Sequence, residues 1–398
     1  MNPEQRYFIR LLRDYVRSSP STEPEEALDW PLLVRYAERQ DLSGILYYQC
    51  RGLKSVDADA LQTLHAEFLS VAYRAVNFDA AMDAVGAAFS AAGIDYMPFK
   101  GELLRLCYPH PELRTMGDRD ILIHPSDREA SDRIMRALGY DGFIDHPAVW
   151  VYQKPALTFE LHDSMFYEHL ANQVDYRAFF ETVWDGAADL GAHRFAPKPE
   201  LHFLYLMAHA AKHIVNYGTG FRPFLDMVFF CRAESPLDWD YIVDKLRELS
   251  LYEFTLRCFR LCEEWFDVTM PLPCGTADDA FLTDTTEKIF RDGLFGYGNT
   301  DDNAGARAAK EILHDGKPYA LAAARQTVHN LFPPYRDLES VPWYSWVSGK
   351  PWLLPAAWVY RWFFVLLHKG GRGKKRLQEA FQRDSIQKRR SYLDSWGL

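Results

Sequence analysis

Between two long stretches whose apolar residues recur every three or four positions lies an island, residues 93–162, where they alternate or run in short blocks. On its N-terminal side the helical spacing runs through Phe8, Leu11, Leu12 and Tyr15, and again through Leu61, Leu64, Phe68 and Val71. On its C-terminal side it returns over 200–216, with Leu204, Ala208, Ala211 and Val215 on one stripe. Such a change of period predicts a small sheet enclosed by helices. Within the island, Gly93 introduces a strand over Ile94–Phe99, with Pro98 marking an edge or a strand end. Lys100-Gly101 turns the chain into a helix over 102–108, and the turn residues Pro109-His110-Pro111-Glu112 lead to Arg114. A second strand covers 118–123. Ser126-Asp127-Arg128-Glu129 has capping-box spacing for a helix that Gly139 stops. Two further strands are read at 150–153 and 157–162. The fold class is therefore α+β: a small mixed β-sheet core with flanking helices, embedded in larger helical regions. The expected division is an N-terminal helical region 1–88, the core 89–190, a helical domain 191–330 and a C-terminal aromatic and basic region 331–398.

Charge narrows the function. The chain of 398 residues carries a net charge of -10, so no dedicated nucleic-acid binding is expected, because neutralising phosphates needs a basic surface. The sign is not uniform: residues 341–398 carry a balance of +8 and the rest -18. The tail combines Trp358, Tyr360, Trp362, Phe363 and Phe364 with Lys369, Arg372, Lys374, Lys375 and Arg376, a composition compatible with peripheral membrane contact through 352–376. Pro355 and Arg361 interrupt that run, which falls short of the ~20 apolar residues of a span. A helix docked on the protein body is the favoured reading. Six cysteines form no CxxC pair, and Met1-Asn2-Pro3-Glu4 opens no basic-then-apolar leader. Both point to a cytoplasmic protein.

The chemistry concentrates in three acids. Asp118 and Asp120 are one residue apart, so on a strand both carboxylates face one side. Adjacent anions repel, and a divalent cation converts that repulsion into binding. Glu160 sits between Phe159 and Leu161 in an apolar strand, sharing a face with Thr158 and His162. If that strand lies beside the one at 118–123, Glu160 becomes the third ligand. An Asp-x-Asp pair alone is weak, since many are merely solvated.

Lys100-Gly101, then Arg114-x-x-x-Asp118-x-Asp120, then Phe159-Glu160-Leu161-His162 together resemble the bacterial uncharacterised nucleotidyltransferase family of the DNA polymerase β-like superfamily. His209-x-x-x-His213 with Asp226, Leu331-Phe332-Pro333-Pro334 and Leu354-Pro355 resemble it less specifically. The resemblance implies a two-metal transfer of a nucleoside monophosphate from a nucleoside triphosphate. Asp118, Asp120 and Glu160 would be catalytic and would hold Mg²⁺ or Mn²⁺, and the acceptor would be a small molecule, saccharide or protein. Lys100, Gly101 and Arg114 are candidates for the triphosphate, against a plain turn for Gly101 and salt bridges to Asp118 or Glu102 for the two cations. Two departures stand out. Glu102 follows Gly101, where Ser or Gly is usual, and Arg119 puts a cation between the aspartates, either weakening metal binding or contacting phosphate. His209 and His213 share a helix face, where a packed pair is favoured over a pocket lining or a metal site. His162 would stand behind the acids, and Arg222 is expected to pair with Asp226. Two rival functions are a catalytically silent nucleotide- or partner-binding module and a hydrolase using His209 and His213.

Overall fold

The computed structural model describes residues 1–294 apart from Pro147, 168–169, 171, 173, 217, 235 and 276–278, and then 332, 335, 346–347, 350–360 and 383–398. The readings of 295–330 as helical, of most of 331–334 and of the basic cluster within 361–382 lie outside the described residues. Four helices lead in: α1 (Pro3–Val16), α2 (Trp30–Gln40), α3 (Ser43–Cys50) and α4 (Ala58–Ala91). Asn2 opens α1 through a reciprocal capping box with Gln5, and Asp57 caps α4 at Asp59 and Ala60.

The island folds as β1 (Tyr96–Pro98), α5 (Gly101–Leu104), β2 (Arg119–Ile123), α6 (Arg128–Ala137), β3 (Asp141–His146), β4 (Val149–Lys154) and β5 (Leu157–His162). The five strands form one mixed sheet in the order β1-β2-β5-β4-β3, parallel only between β2 and β5. Pro98 closes β1, which is an edge strand, as its missing N–H requires. The other edge, β3, was not anticipated. Phe143 and Ile144 are exposed there and Gly142 interrupts the apolar pattern, so no alternation announces a strand. The capping box at 126–129 does not form: a 3₁₀ turn at Pro125–Asp127 leads into α6 and the Asp127 side chain makes no cap bond. Gly139 does stop the helix, at φ 84°, a conformation that costs glycine nothing.

Beyond the sheet come α7 (Tyr176–Phe180), a small hairpin of β6 (Ala188–Asp189) and β7 (Phe195–Ala196), then α8 (Pro199–Asn216), α9 (Arg222–Ala233), α10 (Trp239–Glu248), α11 (Tyr252–Phe266), α12 (Asp279–Asp292) and α13 (Arg383–Trp396). The helices before and after the sheet share one core, from Phe8 and Leu11 through Phe203 and Phe221 to Phe290 and Trp396. Trp396 packs within 5.2 Å of Phe281 and 5.9 Å of Phe254, tying the last helix to this core. All six thiols are free, with Cys50, Cys258 and Cys262 buried as small hydrophobes. Among the described residues no helix is long and apolar enough to cross a membrane.

The sheet's two faces serve different purposes. Ile121, Ile123, Phe159 and Leu161 join Met82, Val85 and Phe89 of α4 in a separate apolar cluster. Arg119 points to this same face, since it alternates with its neighbours. Its guanidinium, 4.9 Å from the Phe78 ring, is fully buried and pairs with Glu102 and with Asp79. Arg105 joins the same two acids at 3.2 and 2.8 Å, closing a ring of four charges between β2, α5 and α4. Burial pulls the Arg119 guanidinium down to about 10, and Asp79 works against that shift. Arg119 is thus turned away from the aspartates that flank it, and the expectation that it bears on the metals or a phosphate is not met. Glu102→Ala would leave Arg119 buried without its inner partner and should cost about 3–5 kcal/mol in urea unfolding. A paired Glu102→Leu/Arg119→Met replacement should recover most of that loss, and a loss of under about 1 kcal/mol in the single variant would refute the ring's role.

Candidate active site

The opposite face of the sheet carries the acids. β2 and β5 pair in register, Asp120 beside Glu160 and Leu122 beside His162, so these side chains project together toward the helical layer. One ligand atom from each of Asp120, Glu160 and His162 forms a compact group, all three lying within 4.8 Å of one another. His162 Nε2 lies 2.8 Å from Asp120 and 3.4 Å from Glu160. Asp118 stands outside this group. It precedes β2 by one residue, after the bend at Gly117, so the period-two rule that aligned it with Asp120 does not strictly reach it. Its carboxyl still feels Asp120 and Glu160.

Electrostatics separates the two aspartates. Burial raises the Asp118 carboxyl, repulsion by Asp120 and Glu160 adds to it, and the result is about 6. Burial also works upward on Asp120, but the Lys100 ammonium and the His162 hydrogen bond outweigh it and hold that carboxyl at about 2. Lys100 Nζ reaches Asp120 Oδ1 at 2.6 Å, and Tyr205 of α8 also hydrogen-bonds Lys100. Burial alone would lower the Lys100 ammonium, yet the surrounding anions raise it well above the usual lysine range. The turn that aims it is uncommon: Lys100 sits at φ 51°, ψ -126°, where a side chain is strained. The donor set of oxygens with one imidazole, and the excess of carboxylate charge felt at Asp118, fit a divalent cation.

Beside the acids lies a cavity of about 120 Å³ lined by Lys100, Gly101, Arg114, His209, His213 and Arg222. Five of these were singled out from sequence, for separate reasons; the fold brings them to one wall. A Cβ at Gly101 would meet Met116 Sδ at 2.6 Å and Arg114 Nη1 at 2.8 Å, so both side chains would have to shift. Arg114 does not bridge to Asp118 or Glu102. It binds Asp226 bidentately through Nε and Nη2, both at 2.8 Å, and the Tyr108 hydroxyl donates to the same carboxylate at 2.7 Å. Asp226 is therefore not the hydrogen-bond partner of Arg222. Arg222 instead donates to the Thr115 carbonyl at 2.9 Å and lies 3.5 Å from Asp41. Spacing four apart on a helix allowed the first pairing, but the buried Arg114 claimed the acid with better geometry. Arg222 and Tyr205 were missed as site residues. Only their place on α9 and α8, facing Lys100 and the cavity, identifies them.

His209 and His213 approach to 3.3 Å between their Nε2 atoms, with His209 stacked on Tyr205. Among the described residues no third His, Cys, Asp or Glu forms a ligand group with them. Burial drives both imidazoles down, His213 to about 3, so they line the cavity as neutral rings.

The chain belongs to the family described as uncharacterised nucleotidyltransferase, whose model matches residues 26–267, from the approach to α2 to the residue that closes α11. No curated protein and no solved structure matches it.

The buried histidines set an acid limit. His202, whose Nε2 has no hydrogen-bond partner among the described residues, is also lowered to about 3 by burial, the nearby Arg114 adding to the shift. Its folded pKa lies below the unfolded value near 6.5, so the unfolded chain takes up protons first. The contribution is whole above about pH 6.5 and is lost as pH falls toward 3, at no more than about 1.4 kcal/mol per pH unit for each such ring. Urea midpoints measured from pH 7 to 4 should fall, and His202→Phe should flatten the slope; equal slopes in the two proteins would contradict it.

Proposed function

We propose that this protein transfers a nucleoside monophosphate from a nucleoside triphosphate to an acceptor hydroxyl on a small molecule, saccharide or protein. The observation that carries the reading is the in-register placement of Asp120 and Glu160 on adjacent parallel strands, next to a cavity walled by Lys100, Arg114 and Arg222. Family membership supports the reaction class.

In this reading the triphosphate tail occupies the cationic cavity. Lys100 and Arg222 offer charge to it. Arg114 presents Nη1, its Nε and Nη2 being held by Asp226. The neutral His209 and His213 add hydrogen-bonding edges without competing charge. Divalent cations, Mg²⁺ or Mn²⁺ held by Asp118, Asp120 and Glu160, supply charge neutralisation and hydroxyl activation when bound. Glu160 is more open to solvent than Asp120, its side chain 24 % exposed against 5 %. It takes the acceptor's proton as the acceptor oxygen bonds the α-phosphorus, and pyrophosphate leaves with the electron pair of the broken bond. Tyr205 and Asp226 position Lys100 and Arg114 for this task.

One observation favours the catalytically silent alternative. Asp120 Oδ1 already accepts from both Lys100 and His162, so a ligand oxygen is satisfied within the chain. Thermal-shift measurements with ATP, CTP, GTP and UTP, each with Mg²⁺ or Mn²⁺, followed by pyrophosphate release with candidate acceptors, separate the two readings. Metal-dependent stabilisation by one nucleotide together with pyrophosphate release is the expected outcome. Asp120→Asn should lower kcat by about 100-fold or more, as expected for a residue acting on the transition state. Arg222→Ala should raise KM for the nucleotide about tenfold with kcat little changed. Stabilisation without any turnover across acceptors would favour the silent module, and no nucleotide response at all would sink the transferase and leave only a partner-binding module.

A further inference from the structure

We infer that His162 is a direct nitrogen ligand, together with Asp120 and Glu160, of the divalent cation this site takes, and that the cation is accordingly Mn²⁺ in preference to Mg²⁺. The inference rests on the metal-binding part of the proposed function and goes beyond it, because that reading uses carboxylates alone.

Geometry carries the argument. His162 Nε2 faces Asp120 Oδ1 at 2.8 Å and Glu160 Oε2 at 3.4 Å, and the three ligand atoms converge on one region. A ring nitrogen bears one hydrogen, so it can satisfy one carboxylate well and not both. A cation shared by the three groups satisfies all of them. The imidazole is fully buried and fixed by packing, its ring centroid 5.2 Å from that of Phe99, edge-on, and 6.2 Å from that of Tyr167. Its other nitrogen, Nδ1, has no hydrogen-bond partner among the described residues, so the ring's polar contacts there are those at Nε2.

Sheet register explains why the ring is available. Leu122, not an acid, is its neighbour on β2, and residues two apart on β5 share a face, so Glu160 and His162 present oxygen and nitrogen side by side. Lys100 Nζ meets the same Asp120 oxygen at 2.6 Å, and a cation bound there takes over that oxygen and frees the ammonium toward the neighbouring cavity. Mg²⁺ keeps to oxygen donors and releases its water reluctantly. An imidazole in the set moves selectivity toward transition-series ions, among which Mn²⁺ also accepts carboxylates.

The test uses the full chain and Mn²⁺ itself. Bound Mn²⁺ is counted by loss of its free-ion electron paramagnetic resonance signal, with Mg²⁺ as competitor, and pulsed resonance on the bound ion reads directly coupled nitrogen. Affinity for Mn²⁺ should exceed that for Mg²⁺ by about tenfold or more, roughly 1.4 kcal/mol, and the bound ion should report one histidine nitrogen. His162→Asn should abolish the nitrogen signal, and His162→Asp, an all-oxygen set, should move the preference back toward Mg²⁺. His209→Asn is the control that should leave the signal in place. Should the His162 variants fail to fold, the unmodified chain and the His209 control decide alone. Bound Mn²⁺ with no nitrogen coupling, or with coupling lost only in His209→Asn, overturns the inference and leaves the proposed function standing. No Mn²⁺ binding overturns the inference, and no binding of either Mn²⁺ or Mg²⁺ overturns the metal-dependent function as well.

Discussion

Everything at this site depends on two short strands lying parallel and in register. The pairing of β2 with β5 sets Asp120 against Glu160 and Leu122 against His162. Because side chains alternate, it also sends Arg119, Phe159 and Leu161 to the other face. A slip of one residue would bury the acids in the apolar cluster and expose that cluster's Ile121 and Phe159. The register is held from outside: α4 and α6 cover the apolar face, and the Arg119–Glu102–Arg105–Asp79 ring locks the start of β2 to α4. Parallel neighbours need a long crossover, here supplied by α6 and the β3–β4 hairpin.

The same layout explains how cations and anions coexist in a small volume. The acids sit on the sheet, and the cationic wall comes from the turn after β1 and from α9, with α8 supplying neutral imidazoles and a tyrosine. Lys100 touches both territories. Its bond to Asp120 makes it the internal counter-ion of the acids, while its place on the cavity wall makes it available to an anionic ligand. Arg114 is anchored differently: a bidentate carboxylate fixes its orientation and leaves one nitrogen toward the cavity, a preorganised rather than an adaptable group. Burial of these charges is tolerable only because each has a partner.

Much of this was legible beforehand. The change from helical to alternating spacing located the sheet, and four of its five strands were readable from apolar blocks bounded by Gly and Pro. The edge strand β3 was not, since Phe143 and Ile144 face solvent and no buried face imposed a pattern on the sequence. Asp120, Glu160 and the shared face of Glu160 with His162 followed from a period of two. The same period aligned Asp118 with Asp120, but Asp118 stands one residue outside β2, where the alternation does not strictly reach it. Arg222 was paired with Asp226 on helical spacing, a rule that counts only neighbours along one helix and cannot see Arg114 arriving from a loop.

What the residues alone determined was local: which segments are periodic, where turns interrupt them, and which side chains share a face, because these depend on backbone geometry within a few positions. What only the tertiary structure decided was company. The order of strands, the enclosure of the sheet by helices from both ends of the chain, and the meeting of Lys100, Arg114, His209, His213 and Arg222 at one cavity are long-range outcomes. They follow from burying every apolar face at once, a condition on the whole chain that no single stretch of it contains.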